Sequence, residues 1–348
     1  MKLSLIIPIY KAKEFIPRLI ENLEAQNVFK NEEEYGEVLF IIDGSPDDSE
    51  KIIREYSKTR SWIKVITQKN RGQHIARNSG IKIAKGEYIA FMDQDDAYIT
   101  NALKFLIEIA EKERADIVRG QAIWPKEEDF SKWKDYEIQS PSDLKIYSGQ
   151  NFILATNGLC YNTMVWGTLY NKDFITSKGL YFPEKVSYYE DAAYNWLIMP
   201  EAKKVIIIEN IIYLWIQRNE SESHNSSISH RINREVNAEH LSIFMKNLYL
   251  IYNEKREFPF KITNFMKINS NWSCYKYLGT MVKFRGLKKE EINPTIRRIK
   301  DEGIYPYPHI YPKDLPGSYP KSFKYKMMWW LMSYEWILKI MLRLRARK

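Results

Sequence analysis

Four short apolar runs punctuate the first hundred residues: Leu3–Ile9, Val38–Ile42, Ile63–Thr67 and Tyr88–Met92. Runs of this length bounded by polar turns read as buried strands. Between them apolar residues recur at helical spacing, which predicts helices over Lys13–Gln26, Asp48–Lys58, Gln73–Ala84 and Asn101–Glu113, with Asp47 and Thr100 as caps. Strand alternating with helix predicts an α/β fold, a Rossmann-like, mostly parallel sheet with helices on both faces.

The pattern then changes. Trp124 to Gln150 is polar and irregular and reads as an extended excursion. Phe152 to Ile216 is a second ordered block, with a tight Trp166-Gly167-Thr168-Leu169-Tyr170 run, a helix expected over Tyr188–Ile198 and a strand over Lys204–Ile208. After Ser229 the chain turns helical, lysine-rich and aromatic. At 348 residues it exceeds one compact core. The expected organisation is a domain over 1–228, with halves 1–115 and 116–228, followed by a helical region over 229–348.

Charge adds a question of location. The formal net charge is +9, and the densest basic run, Lys339 to Lys348, adjoins an apolar stretch holding Trp329, Trp330 and Trp336. Glu335, Lys339, Arg343 and Arg347 recur every four residues, so the tail 327–348 reads as an amphipathic helix suited to the headgroup boundary of a membrane. A helix docked on protein fits the same pattern, whereas the charges argue against a membrane span. No zinc-finger or RNA-binding aromatic motif is present, so nucleic acid is not an expected partner. Cys160 and Cys274 stand far apart and read as buried thiols. Leu3–Ile9 is too short for a signal sequence, so the cytoplasm is expected, with attachment to the inner membrane face as an extension of it.

The polar residues that carry chemistry fall where strands end: Pro8-Ile9-Tyr10, Asp43-Gly44-Ser45 and Asp93-Gln94-Asp95-Asp96. In open α/β sheets ligands bind beyond those carboxyl ends. Several carboxylates confined to one strand end repel, and Mn²⁺ or Mg²⁺, which takes hard oxygen ligands, relieves that repulsion. A solvated acidic turn fits the same string. Asn70 to Gly80 opens a helix and aims Arg77 at the same end, without the glycine patterns of dinucleotide or phosphate-loop sites. Glu190-Asp191 opens the later helix, where acidic residues also suit the macrodipole.

In order and spacing, Ser4–Tyr10, Ile42–Ser49, Asn70–Gly80 and Gly86–Asp96 resemble the N-terminal half of family 2 glycosyltransferases of the GT-A fold. The resemblance extends to Trp166–Tyr170 and Glu190-Asp191, covering roughly residues 3 to 225. Relatives often carry two aspartates before the Gly-Ser turn, whereas Ile42 stands before Asp43 here. The resemblance implies that Pro8, Tyr10, Asp43 and Arg77 hold uracil or an equivalent base and Asp93 the ribose side. Asp95 is then the leading metal ligand, Asp96 a second candidate, and Asp191 the base that takes the acceptor proton in an inverting transfer. Arg218 and His224, in a polar stretch after an apolar strand, are candidates to touch diphosphate or metal. The implied reaction moves a sugar from a nucleotide-diphosphate sugar, UDP-linked by expectation, to a hydroxyl of a growing, lipid-linked glycan. The absence of Gln-x-x-Arg-Trp points to non-processive transfer. The rival is a non-catalytic binder of nucleotide sugar or glycan with the same fold.

Overall fold

The computed structural model describes residues 1–29, 35–133, 136–139, 144–158, 164–218, 227–255, 258–284, 287–308 and 322–346. They form two compact units that interleave along the chain instead of meeting at one boundary near 228. The first comprises Met1–Phe152, Thr163–Glu184 and Ile198–Ser221, and the second Ile153–Asn162, Lys185–Leu197 and Glu222–Lys348.

The first unit is built on a mixed sheet. Its strands are β1 (Leu3–Ile9), β2 (Gly36–Asp43), β3 (Ile63–Gln68), β4 (Tyr88–Phe91), β5 (Ala97–Tyr98), β6 (Ile117–Ile123), β7 (Lys145–Tyr147), β8 (Thr168–Asn171) and β9 (Val205–Leu214). Their order is β3-β2-β1-β4-β8-β6-β9-β5, with β7 on β9. The β3-β2-β1-β4 half is parallel throughout, as the early periodicity predicts; β8 then enters antiparallel to β4 and β6.

Both faces of this parallel half are covered. Helix α1 (Ile16–Glu24) buries Ile16, Leu19, Ile20 and Leu23, a single stripe at helical spacing, in one cluster with Leu5 and Ile7 of β1. On the opposite face α3 (Gln73–Ile83) brings Gly80 so close that an added Cβ would lie 2.5 Å from Cγ2 of Ile6. Helices α2 (Ser49–Ser57) and α4 (Ala102–Glu113) complete the wrapping. A buried polar knot closes the other end of these strands: Ser4 Oγ donates to Glu37 at 2.7 Å and accepts from the Gly86 N–H at 2.8 Å. Only glycine fits at 86, since a Cβ there would sit 2.4 Å from the backbone of Leu3 and Ser4. That packing sets β4 against β1, and hence where the acidic string emerges.

Beyond α4 come the short helices α5 (Gly149–Ala155), α6 (Lys172–Ser177) and α7 (Glu190–Ile198). The polar excursion contains a 3-10 segment, Glu127–Trp133, and the edge strand β7.

In the second unit α8 (Ile228–Glu254) and α9 (Phe260–Phe284) are the long helices, followed by α10 (Ile292–Asp301), α11 (Phe323–Met332) and α12 (Glu335–Arg345). Ser242 and Ser270 let α8 and α9 approach by exchanging hydroxyl-to-carbonyl bonds of 2.6 and 2.8 Å. Arg298 clamps the buried Glu239 through two bonds of 2.7 and 2.8 Å. Cys274 is buried in this core, as expected for a free thiol; Cys160 lies outside the described residues.

The tail departs from the single amphipathic helix read in the sequence. The chain breaks at Ser333-Tyr334, and α11 and α12 bury Trp329, Met332, Leu338 and Leu342 against Tyr275, Leu278, Ile296 and Ile299. Trp329 is fully buried, and its indole N–H donates to the Pro308 carbonyl at 2.7 Å. Among the described residues no helix is long and apolar enough to cross a membrane.

Candidate active site

At the carboxyl ends of β1, β2 and β4 the first unit assembles the expected residues, with roles separated by hydrogen bonding. Asp43 ends β2 almost completely buried. One carboxylate oxygen accepts from Gln68 Nε2 at 2.8 Å and the Arg71 N–H at 2.9 Å, and the other from the Gly72 N–H at 2.8 Å. Three donors therefore converge on it, and its immediate work is to shape the turn before α3. Gly44 follows with φ +63°, where a Cβ would strike the Asn70 backbone nitrogen at 2.6 Å. The left-handed backbone and the close approach both demand glycine.

Asp47, read in the sequence as a helix cap, accepts from the N–H of Ser49, the first residue of α2, at 3.2 Å and also organises the neighbouring turn. It accepts from Ser45 Oγ and Ser49 Oγ, each at 2.6 Å, and from the Lys13 N–H at 3.2 Å. Partial burial pushes its carboxyl up, but the hydroxyl and backbone donors outweigh that and bring it down to about 2.

The acidic string after β4 is held from three sides. Gln94 donates to the Tyr10 carbonyl at 2.9 Å and accepts from the Tyr10 N–H at 2.8 Å, which ties the string to the end of β1 and leaves the Tyr10 ring exposed beside it. Pro8 lies within β1, opposite Ile41 of β2. From α3, the buried Arg77 reaches Asp93 at 2.8 Å. From α1 and its C-terminal end, Arg18, Asn22 and Gln26 bind the carbonyls of Asp95, Tyr98 and Ile99 at 2.8, 2.8 and 3.0 Å. Sequence reasoning missed this row. Its signal is polar residues four apart on the edge of an otherwise apolar helical face.

The three carboxylates of the string point different ways. Asp96 is buried, accepting from the Tyr213 hydroxyl at 2.9 Å and the Ile216 N–H at 3.1 Å. Burial, reinforced by the negative charge of Asp93, pushes its carboxyl well above the usual range. The Asp93 N–H donates to the same Tyr213 hydroxyl at 3.1 Å, and Trp166 stacks on the Tyr213 ring at 4.6 Å. Asp96 is thus engaged inside the fold, by the phenol of Tyr213 in β9 and by the backbone of Ile216 just beyond that strand. Asp95 is partly exposed and pairs with Arg218, whose guanidinium lies 4.1 Å from the centre of the Phe15 ring.

Asp93 and Asp95 therefore remain as hard oxygen donors at the strand end. Among the described residues no group of three or more His, Cys, Asp or Glu gathers to hold a metal. One or two carboxylates fit a Mg²⁺- or Mn²⁺-type site that phosphate oxygens and water complete. His224 lies outside the described residues. Asp191 stands in the first turn of α7, partly buried, and its carbonyl accepts from Asn195 at 2.9 Å. It belongs to the second unit, whereas the acidic string belongs to the first.

His74 was given no role by the sequence. It is buried in the first turn of α3, with Nε2 3.0 Å from the Glu184 carbonyl. Burial and the nearby charge of Arg77 hold its pKa below the ordinary imidazole value. Below about pH 6.5 the unfolded imidazole binds a proton that the folded one resists, so this group costs stability as pH falls through that value. Chemical denaturation between pH 7.5 and 5.5, taken as roughly one unit on either side of that value, should show stability falling with pH. A His74→Gln variant should show a shallower fall, and parallel curves would refute the assignment.

The fold is the one shared with solved glycosyltransferases, and comparison with known proteins gives the class and the family. Residues 4–175 match the glycosyl transferase family 2 model, and the chain belongs to that family. It is 30% identical over 213 residues to the glycosyltransferase EpsJ of Bacillus subtilis, spanning 61% of this chain and 60% of EpsJ. Among solved structures it resembles residues 1–349 of S. aureus TarS in complex with UDP-GlcNAc, at TM-score 0.54 and 18% identity, covering 87% of this chain and 88% of that one. It also resembles mannosyltransferase PcManGT of Pyrobaculum calidifontis in complex with GDP-Man and Mn²⁺, at TM-score 0.51 and 13% identity, covering 98% and 87%.

Proposed function

We propose that the protein is an inverting, non-processive, metal-dependent transferase that moves a sugar from a nucleoside-diphosphate sugar, uridine-linked, to a hydroxyl of a growing lipid-linked glycan. The observation that carries this reading is the convergence of Asp43, the Arg77–Asp93 pair and the partly exposed Asp95 at adjoining strand ends. TarS and PcManGT, whose solved structures are complexes with nucleotide sugars, support the donor class.

Asp43 holds the loop against which the base lies, Pro8 and Tyr10 border it, and Arg77 fixes Asp93 for the ribose. Asp95, with Asp93 beside it, would hold a divalent cation, which would supply neutralising charge for the leaving diphosphate. Arg218 offers a second positive charge to the same group. Asp191 takes the proton of the acceptor hydroxyl as its oxygen bonds to the anomeric carbon and the bond to diphosphate breaks. The sugar arrives with inverted configuration and the nucleoside diphosphate departs.

A panel of UDP-, GDP- and dTDP-sugars assayed for nucleotide release, with Mn²⁺ or Mg²⁺ and with chelator, tests the reading. One uridine-linked sugar should be turned over with metal and spared with chelator. Tight donor binding without turnover for every sugar would favour a non-catalytic binder.

A further inference from the structure

Helices α11 and α12 each carry two apolar faces, and the core uses only one of them. Trp329 and Met332 of α11 and Leu338 and Leu342 of α12 point inward and are buried. On the other side of α12, Trp336, Ile340 and Leu344 follow at four-residue spacing, and Trp336 and Leu344 are 65% and 75% exposed. On α11, Phe323, Met327 and Trp330 form a comparable row, with Phe323 79% exposed. Helical geometry places residues three and four apart on one face, so each row is continuous. All six side chains of the two rows are exposed, and the Tyr334 ring meets Trp330 edge-on at 5.2 Å.

The surrounding charges select the occupant. Residues 323–346 hold five basic side chains, Lys324, Lys326, Lys339, Arg343 and Arg345, against one acid, Glu335. That acid is already paired, with Lys300 at 2.8 Å and Lys339 at 2.6 Å. By helical angle Arg343 borders the Trp336–Ile340 row, and Arg345 extends the basic end of α12. An apolar row with tryptophan, edged by cations and lacking unpaired acid, matches the boundary between acyl chains and anionic headgroups.

We infer that the outward rows of α11 and α12 form a docking surface for an anionic lipid leaflet, seated by the inward residues. The inference concerns the second unit alone and does not depend on the transferase chemistry of the first. A membrane surface would hold the enzyme beside a lipid-linked acceptor.

The test is sedimentation of the full chain with phosphatidylcholine vesicles, with and without phosphatidylglycerol. The wild type should pellet with the anionic vesicles and be released by salt. Each basic residue near such a surface contributes about 1 kcal/mol, so Arg343→Gln with Arg345→Gln should weaken binding roughly 30-fold. Trp336→Ser with Leu344→Ser should weaken it at least as much. Both variants alter exposed positions, and their melting curves and nucleotide-release activity should match the wild type. Should the apolar variant misfold, the salt and lipid dependence of the wild type still decides. Equal partition with and without phosphatidylglycerol overturns the inference. So does a concentration-dependent dimer, without vesicle binding, that the Trp336/Leu344 variant abolishes.

Discussion

Asp95→Ala is expected to lower sugar transfer about 10³-fold while leaving the fold intact, and Asp96→Ala to unfold the protein more readily. Removing a group that stabilises developing charge at a reaction centre typically costs about 10²- to 10³-fold. Asp95 is positioned for such a role, its partly exposed carboxylate pairing with Arg218 at the mouth of the strand end. Losing that ion pair costs stability on the order of 1 kcal/mol. Asp96 is different because its oxygens accept from Tyr213 and Ile216 inside the fold. Alanine would orphan a buried phenol and a backbone N–H at about 1–3 kcal/mol each, offset in part by relief of its repulsion with Asp93. Asp96→Asn should keep an acceptor and retain most of that stability. Melting curves beside Mn²⁺-titrated turnover separate these outcomes. A stable Asp96→Ala protein with weakened metal dependence would exchange the two assignments.

Asp191→Asn is expected to reduce transfer to the acceptor about 10²- to 10⁴-fold, the range for loss of a positioned general base. Because Asp191 belongs to a different unit from Asp43, Arg77 and Asp93, donor affinity should not change. The pH profile supplies a further readout: the acid limb of kcat/KM that reports the free base should flatten in the variant. Calorimetry with the nucleoside diphosphate and acceptor kinetics on the same preparation give both numbers. Unchanged transfer would remove Asp191 from the mechanism, while weakened nucleotide binding with normal kcat would make it a donor-site residue.

How much of this was legible in the sequence depends on what each residue faces. Strands buried on both faces announce themselves, and every residue of β1 between Leu3 and Ile9 is buried. By contrast β5 spans two residues and β8 four, too few to establish a period, while β6 is interrupted by Arg119 and Gly120. The strand-end carboxylates were visible as a string, but their directions were not. Asp96 turns inward because of a tyrosine 117 positions later. Likewise Asp43, linked to the base by family resemblance, spends its hydrogen-bonding capacity on a loop that sequence spacing does not reveal. The tail shows the opposite difficulty. With apolar residues on both sides of α11 and α12, amphipathicity alone could not say which side was core, and the buried Trp329 and exposed Trp336 read alike.

Gln94 stands at the position between two aspartates where a bare motif would admit any residue. Its amide serves as acceptor to the N–H and donor to the C=O of a single residue, Tyr10, mimicking the edge of one more strand. Glutamate has nearly the same outline but would surrender the N–H half of that exchange and add a fourth negative charge to the string. The middle letter of the motif is therefore a latch written in side-chain chemistry, and its spelling is as constrained as that of the aspartates it separates.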